Sequence, residues 1–238
     1  MNNSYITIIK EKRTDLSRKR IPLNQNKCTA DFRMSVPFEQ NLHFYCTEDI
    51  ALAKEWAVSE EKDGYVNEYE IETNDLRILN INDGSFTLLH WMGLLLNNRA
   101  FVLATPLERE AKRYITDCFP VSLAGVDVII GYRADDSYFS YARDFISGVI
   151  SYEQLGKAMQ LGSLGEQYCL KTEKAFQHLK FIAKEHVPSA EWYSKKLLRD
   201  RNARNGYKAM EKEIYHRGEL YISRIIDEEM KSDDLFLR

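Results

Sequence analysis

Hydrophobic and polar positions along the chain form short period-two patterns alternating with longer helical ones. Residues 65–71 alternate with a period of two, and residues 126–130 are rich in β-branched side chains, so both segments predict strands. The mostly apolar run 86–96 predicts a buried helix. A short apolar and aromatic strand, 42–46, leads into an alanine-rich stretch that ends in Trp56. This mixture of elements predicts an α+β fold.

Capping residues mark where several helices are expected to begin. Thr47 is predicted to cap the alanine-rich helix, because a threonine oxygen can accept hydrogen bonds from the unpaired N–H groups of the first turn. The sequences at 105–108 and 151–154 are capping boxes and predict two more helices. Thr172 is predicted to cap a helix that continues at least to Ile182, since the apolar residues between them recur with helical spacing.

Two further patterns predict how the chain is organised. The turn at Asn74 and Asp75 separates the strand at 65–71 from a second strand at 76–81, and this spacing predicts a hairpin. Pro188 marks a boundary, after which the sequence becomes charged and mostly helical. We therefore predict one domain over residues 1–187 and a charged helical C-terminal extension over residues 188–238.

The charge of the chain is unevenly distributed. The net charge is −3 overall, but segments 1–33 and 195–217 each carry +5, while residues 34–194 carry −10. Two interpretations stay open. The basic segments can dock on the acidic body of the same chain, or residues 195–217 can contact nucleic acid.

The composition excludes several classes of protein. The most apolar stretch, 86–104, contains polar and charged residues and is too polar to span a bilayer, so no membrane association is expected. Glycine-rich phosphate loops and zinc-type spacing of His and Cys are absent from the sequence, so no metal site is predicted. No secretory signal is recognised, and the four cysteines lie far apart. Reduced thiols and a cytoplasmic location are therefore expected.

Two polar groups of residues are candidates for a binding site. The first is 131–136, which follows a predicted buried strand and contains Asp135 and Asp136. Polar groups at the end of a buried strand often face a cleft, but either aspartate can instead cap the next helix. The second is the pair 166–167, behind two glycines at the start of a strand. Gln167 can act in a site or simply pair with backbone groups at a sheet edge.

The stretch 44–182 resembles the bacterial domain-of-unknown-function family 3990. The matching motifs lie, in chain order, at 44–47, 53–57, 66–69, 127–131, 134–136, 166–167, 172–175 and 179–181. This family is in turn similar to ADP-ribosyltransferases. The resemblance therefore implies an ADP-ribosyltransferase-like core, a split and mainly antiparallel sheet with flanking helices and a cleft for nicotinamide.

The resemblance also implies roles for individual residues. In transferases of the histidine-tyrosine-acid type a tyrosine stacks on the nicotinamide of the substrate NAD, and Tyr45 matches that tyrosine. Gln167 matches the position that contacts the ribose and orients the nucleophile. Tyr45 and Gln167 are thus the expected catalytic residues. The relatives' first-strand histidine is missing here, so either the active site has drifted or Thr7 or His43 replaces that histidine.

The full set expected to bind NAD is Tyr45, His43, Thr7, Asp135 and Asp136. The implied activity is transfer of ADP-ribose from NAD to a protein or nucleic-acid acceptor, as in a toxin or a phage-defence component. An antitoxin or another partner protein is a further expectation. The missing histidine keeps an alternative open, namely a catalytically inactive member that binds a partner protein or nucleic acid.

Overall fold

A computed structural model describes residues 5–12, 20–24, 44–132, 136–163, 165–212 and 218–237. The strands are β1 (Tyr5–Lys12), β2 (Arg20–Asn24), β3 (Phe44–Thr47), β4 (Gly64–Glu72), β5 (Ile78–Asn80), β6 (Val128–Tyr132), β7 (Glu166–Leu170) and β8 (Leu179–Val187). The α-helices are α1 (Ile50–Ala57), α2 (Leu88–Asn98), α3 (Pro106–Cys118), α4 (Asp136–Ile146), α5 (Tyr152–Ala158), α6 (Glu173–Gln177), α7 (Ser189–Glu211) and α8 (Ile222–Asp227). Short 3-10 turns occur at Leu161–Ser163 and Leu235–Leu237.

The described strands form one mixed sheet in the order β5-β6-β7-β3-β1-β2-β4-β8. β5 and β6 are parallel, as are β1 with β3 and β1 with β4, whereas the other pairings are antiparallel. Helices pack against this sheet, so the predicted α+β class is confirmed.

The two faces of the β5-β6-β7-β3 part of the sheet are covered differently. One face carries Val128, Tyr168 and Leu170, which pack with Ala175 of α6. The alternate residues of the same strands point to the other face, which faces α2. α2 is apolar on nearly all sides and contributes Leu89 to the largest core cluster. On this face α2 therefore lies between these four strands and the helices α3, α4, α5 and α8, which share its core cluster.

The capping boxes are confirmed, but the cap of α1 was assigned to the wrong residue. Thr105 accepts a hydrogen bond from Glu108 N, and Ser151 accepts one from Gln154 N. At α1, however, the N-cap is Asp49, whose Oδ1 accepts from the N–H groups of the second and third residues after it. Thr47 lies two residues too early and accepts a hydrogen bond from Asp49 N instead.

The predicted hairpin between 65–71 and 76–81 is wrong. β4 pairs with β8, while β5 pairs in parallel with β6. Asp127 explains the change of partner, because its carboxylate accepts from Arg77 N at 2.9 Å and its own N–H donates to Arg77 O at 2.9 Å. Burial raises the pKa of Asp127, but hydrogen bonds from Thr172 and Arg77 outweigh burial and leave that pKa below its ordinary value. An ionised Asp127 thus ties the start of β5 to β6.

The predicted helix from Thr172 to Ile182 is also wrong beyond its first turns. Thr172 does cap α6, but α6 ends at Gln177 and β8 begins at Leu179. β8 pairs with β4 over its whole length, from Gly64 with Val187 to Ile71 with Leu179. The backbone hydrogen bonds gained across this long ladder override the local helical spacing.

The C-terminal part becomes helical directly after Pro188, where α7 begins. The boundary between a domain at 1–187 and an extension at 188–238 stays a prediction. α7 lies against α1 through an ion pair between Arg199 and the buried Glu55, at 2.8 Å. None of the helices in the described part of the chain has the length and apolar character needed to cross a bilayer.

Candidate functional site

The register of β3 and β7 brings Tyr45 and Gln167 to the same face of the sheet. Tyr45 lies opposite Cys169, and Thr47 lies opposite Gln167. Directly paired residues point to the same side of a sheet, as do residues two apart along a strand. Tyr45, Gln167 and Cys169 therefore share one face, although Tyr45 and Gln167 are far apart in the sequence.

A hollow lies between this face and α2. It is lined by Tyr45, Ile81, Trp91, Leu94, Leu95, Ile129, Gly131, Tyr132, Gln167 and Cys169. The sheet supplies the floor, and side chains of α2 supply the opposite wall. The structure thus brings together Tyr45 and Gln167, the two residues expected to be catalytic, at one concave surface.

Tyr45 lines the sheet side of this hollow and is mostly buried. Only 9% of the residue is exposed, and it packs with Val126, Ile129 and Cys169. An aromatic ring in such a place offers a flat apolar surface, and the face of its π-system attracts cations. Tyr45 can therefore present a stacking surface to a ligand ring that enters the hollow.

Gln167 supplies the polar group of the hollow. It is half-buried, and its side chain makes no hydrogen bond to any residue that the structure describes. Other polar atoms in the lining are paired: Trp91 Nε1 donates to Tyr132 O at 3.1 Å, and Gln160 Nε2 donates to Tyr132 Oη at 3.5 Å. Gln167 thus keeps both an amide donor and a carbonyl acceptor for a ligand.

Gly131 keeps the floor of the hollow open. It faces Gln167 across the β6–β7 ladder. A Cβ atom at this position would lie 2.4 Å from Cδ1 of Ile81 and 3.9 Å from the Trp91 ring. Any larger residue would therefore push Ile81 away from its present position, and the hollow would change shape.

The hollow is small in the structure. Its volume is about 40 Å³, whereas an apolar cavity that binds benzene measures roughly 150 Å³. A nicotinamide ring therefore does not fit unless side chains of α2, such as Trp91 or Leu94, move outward. The chemistry of the lining suits an aromatic amide, but its present size does not.

Polar and charged groups lie next to the lining residues in the chain. Glu166 accepts a hydrogen bond from Asn82 Nδ2 at 3.0 Å, while Asn82 Oδ1 is buried with no hydrogen-bond partner among the described residues. Lys171, two residues beyond Cys169, donates to Leu123 O at 3.1 Å. Burial lowers the pKa of Lys171, and the nearby Cys169 and Asp127 partly oppose that effect.

Several predicted site residues cannot be placed in the hollow. His43 and Asp135 lie outside the described residues. Asp136 begins α4, and Thr7 lies in β1 with Asn67 as its partner in β4, but the side chains of Asp136 and Thr7 are outside the described part of the structure. Their expected contacts with NAD stay predictions.

The hydrophobic wall from α2 was not anticipated from the sequence as part of a site. Trp91, Leu94 and Leu95 were expected only as members of a buried helix. The only local feature of the sequence that hints at this wall is Trp91 in a helix that is apolar on nearly all sides. That feature does not reveal which strands the helix faces. Among the described residues, no group of three His, Cys, Asp or Glu side chains is arranged to hold a metal ion.

Comparison with known proteins gives one match. A family model described as "Protein of unknown function (DUF3990)" matches residues 15–181. This range contains every residue that lines the hollow. Searches of curated proteins and of solved structures find no match.

Proposed function

The chain belongs to the DUF3990 family, proteins of unknown function, and from this premise we propose that it is an ADP-ribosyltransferase-like protein. Its substrate is NAD, and its acceptor is a macromolecule, either a protein or a nucleic acid. The observation that carries the proposal is the common hollow of Tyr45 and Gln167. These are the two residues that match the stacking and ribose positions of the transferases.

Two residues of the hollow, Tyr45 and Gln167, act on the substrate in the proposed reaction. The ring of Tyr45 stacks on the pyridinium ring of NAD, which a π-face attracts. The amide of Gln167 hydrogen-bonds a ribose hydroxyl group. Because a neutral carboxamide cannot take up a proton at ordinary pH, Gln167 holds the substrate in place and is not a general base.

The reaction itself is a substitution at the ribose C1′ carbon. The bond from C1′ to the nicotinamide nitrogen breaks, and its electron pair leaves with nicotinamide, which becomes neutral. A nucleophile of the acceptor bonds to C1′ and releases its proton to water. Catalysis would depend on the positioning of NAD and on the electrostatics of the site, since the site as proposed contains no base.

A second candidate function is supported by the size of the hollow. A volume of about 40 Å³ and the lack of a histidine in the β1 sequence favour a catalytically inactive member of the fold. Such a protein would bind a partner protein or a nucleic acid. Under this alternative NAD neither binds nor is cleaved.

The proposal extends to the biological role, the partner and the location of the protein. The family resemblance supports a toxin or phage-defence role, with an antitoxin or other partner protein. A cytoplasmic location is supported by Cys46, Cys118 and Cys169, which are free thiols within the described residues.

The two candidates are separated by incubating the full chain with NAD labelled in its adenylate part, with and without cell lysate. The proposal predicts labelled macromolecules or released nicotinamide. Gln167→Ala should lower either signal, while Tyr168→Phe, on the opposite face of β7, should leave it unchanged. Intact NAD and unlabelled lysate would contradict the enzymatic proposal and favour the inactive alternative.

A further inference from the structure

Lys195 and Arg204 pair with Glu191 and Asp200 within α7. The other cations of the segment 195–212 fall into two groups, and the first group holds the helix on the body of the protein. Arg199 bonds Glu55 with two nitrogens and donates to Gly162 O at 3.4 Å. Lys196 Nζ donates to Val58 O at 2.9 Å. These contacts account for part of the basic segment as intramolecular docking, one of the two interpretations of its charge.

The second group points away from the body. Arg201, Lys208 and Lys212 are exposed and make no hydrogen bond or ion pair with any described residue. Positions seven and eleven apart fall on one side of an α-helix, and eleven residues rise about 16 Å. The three residues therefore form a line along the outer side of α7, called here the basic stripe.

Packing fixes the direction in which the basic stripe faces. Ala203 and Met210, on the other side of α7, are buried, and the Tyr207 ring stacks on Tyr141 with 4.1 Å between ring centroids. α7 cannot turn about its axis without breaking these contacts and the Arg199–Glu55 pair. The stripe is thus a fixed surface feature.

The residues around the basic stripe are polar except one turn before Arg201, where Leu197 and Leu198 are exposed. Asn202 and Asn205 are exposed, and Arg204 is exposed while paired with Asp200 at 2.9 Å. Amide side chains beside unpaired cations can donate hydrogen bonds to phosphate oxygens. The acidic Asp200 is already satisfied by Arg204, so it does not neutralise the stripe.

We propose that the basic stripe binds the phosphate backbone of a nucleic acid. The charge complementarity is direct, because a duplex carries one negative charge per roughly 1.7 Å of axis, and the stripe sets three cations along it. A lipid surface fits less well, because helices that lie in membranes bury an apolar face. The apolar face of α7 is already packed inside the protein, apart from Leu197 and Leu198.

The proposal is tested without NAD, so its outcome does not depend on the proposed enzymatic function. Fluorescence anisotropy measures binding of the full chain to a 20-base-pair DNA duplex and a 20-nucleotide RNA across a salt series. Releasing the counterions of three phosphates contributes a slope in log Kd against log salt of about 2.7 for the duplex and about 2.1 for the single strand. The triple variant R201Q/K208Q/K212Q should lose about that slope and bind at least a hundredfold more weakly at 0.1 M salt.

A matched control removes the same charge elsewhere. Lys62, Lys157 and Lys180 are exposed, their side chains make no hydrogen bond or ion pair with a described residue, and they lie in three separate parts of the chain. The variant K62Q/K157Q/K180Q should bind nearly as the unmodified chain does, and thermal unfolding should show that both triple variants fold. Equal losses in the two variants would overturn the proposal. The absence of binding to either oligonucleotide would also overturn the proposal. Binding to phosphatidylserine vesicles without binding to either oligonucleotide would overturn it in favour of a lipid surface.

Discussion

His90 shows how one buried side chain both starts a helix and makes the fold sensitive to pH. It lies between the rings of Phe86 and Phe119, and its Nδ1 accepts a hydrogen bond from Thr87 N at 2.9 Å. The imidazole takes the place of the Glu or Gln that usually completes a capping box. The contacts of His90 are those of a packed residue.

The protonation of His90 gives a prediction for stability. Burial lowers the pKa of His90 from its ordinary value of 6.5. The unfolded chain therefore takes up the proton at a higher pH than the folded chain. The free energy of unfolding should fall as pH drops below about 6.5, by at most about 1.4 kcal/mol per pH unit from this group, until the folded pKa is reached.

Urea denaturation at several pH values between 8 and 5 measures this effect. His90→Gln keeps the capping box and removes the titrating group, so it serves as the matched variant. As the pH falls, the free energy of unfolding of the unmodified chain should decrease more than that of H90Q. A difference that stays constant with pH would contradict the assignment.

Single residues also show what the sequence could predict about the site. Tyr45 and Gln167 could be identified because each lies in a short motif that resembles a family. Trp91 and Leu94 could not, because their part in the hollow depends on how α2 packs on β6 and β7. The apolar character of α2 can be predicted from the sequence, but the position of α2 over the sheet cannot.

Among the elements, boundaries set by local hydrogen bonds were predicted well, apart from the cap of α1. α3 and α5 start at their predicted capping boxes. The other errors occur where distant strands compete for the same segment. β8 was predicted as a continuing helix, and β5 as half of a hairpin, because neither β4 nor β6 can be identified as a partner from local spacing.

The contact between α1 and β4 gives a prediction about packing. Gly64 begins β4, and a Cβ atom there would lie only 1.9 Å from Ala57 O at the end of α1. Because that atom belongs to the backbone, it cannot turn aside. Gly64→Ala should therefore force α1 and β4 apart and destabilise the fold by about 3 kcal/mol or more.

Gly156 provides the matched control for this prediction. It lies within α5, and a Cβ atom there meets nothing within 4 Å. Gly156→Ala should stabilise the protein by about 0.5–1 kcal/mol, since alanine favours the helix. Urea denaturation of both variants checks the pair, and a G64A variant as stable as the unmodified chain would show that α1 and β4 are not packed as described.

At the scale of the whole molecule, the C-terminal part is joined to the body through the core. Leu220, Ile222 and Ile225 belong to the same buried cluster as Leu89 and Met92 of α2. The start of α7 after Pro188 was predictable from the sequence. Docking of the basic segment on the body was one of two interpretations, but its partner was not predictable, because Glu55 and Arg199 are 144 residues apart. Deleting residues 189–238 would expose this core, so point variants are the sounder test of function.

We propose that Tyr45 and Gln167 form one site for the nicotinamide end of NAD, and calorimetric titration of the full chain with NAD measures binding at that site. We expect measurable binding that Tyr45→Phe preserves, because the ring remains. Tyr45→Leu should weaken binding at least tenfold, and Gln167→Ala about fivefold, which corresponds to one lost hydrogen bond of about 1 kcal/mol. No binding by the unmodified chain, or equal binding by Y45L, would contradict it.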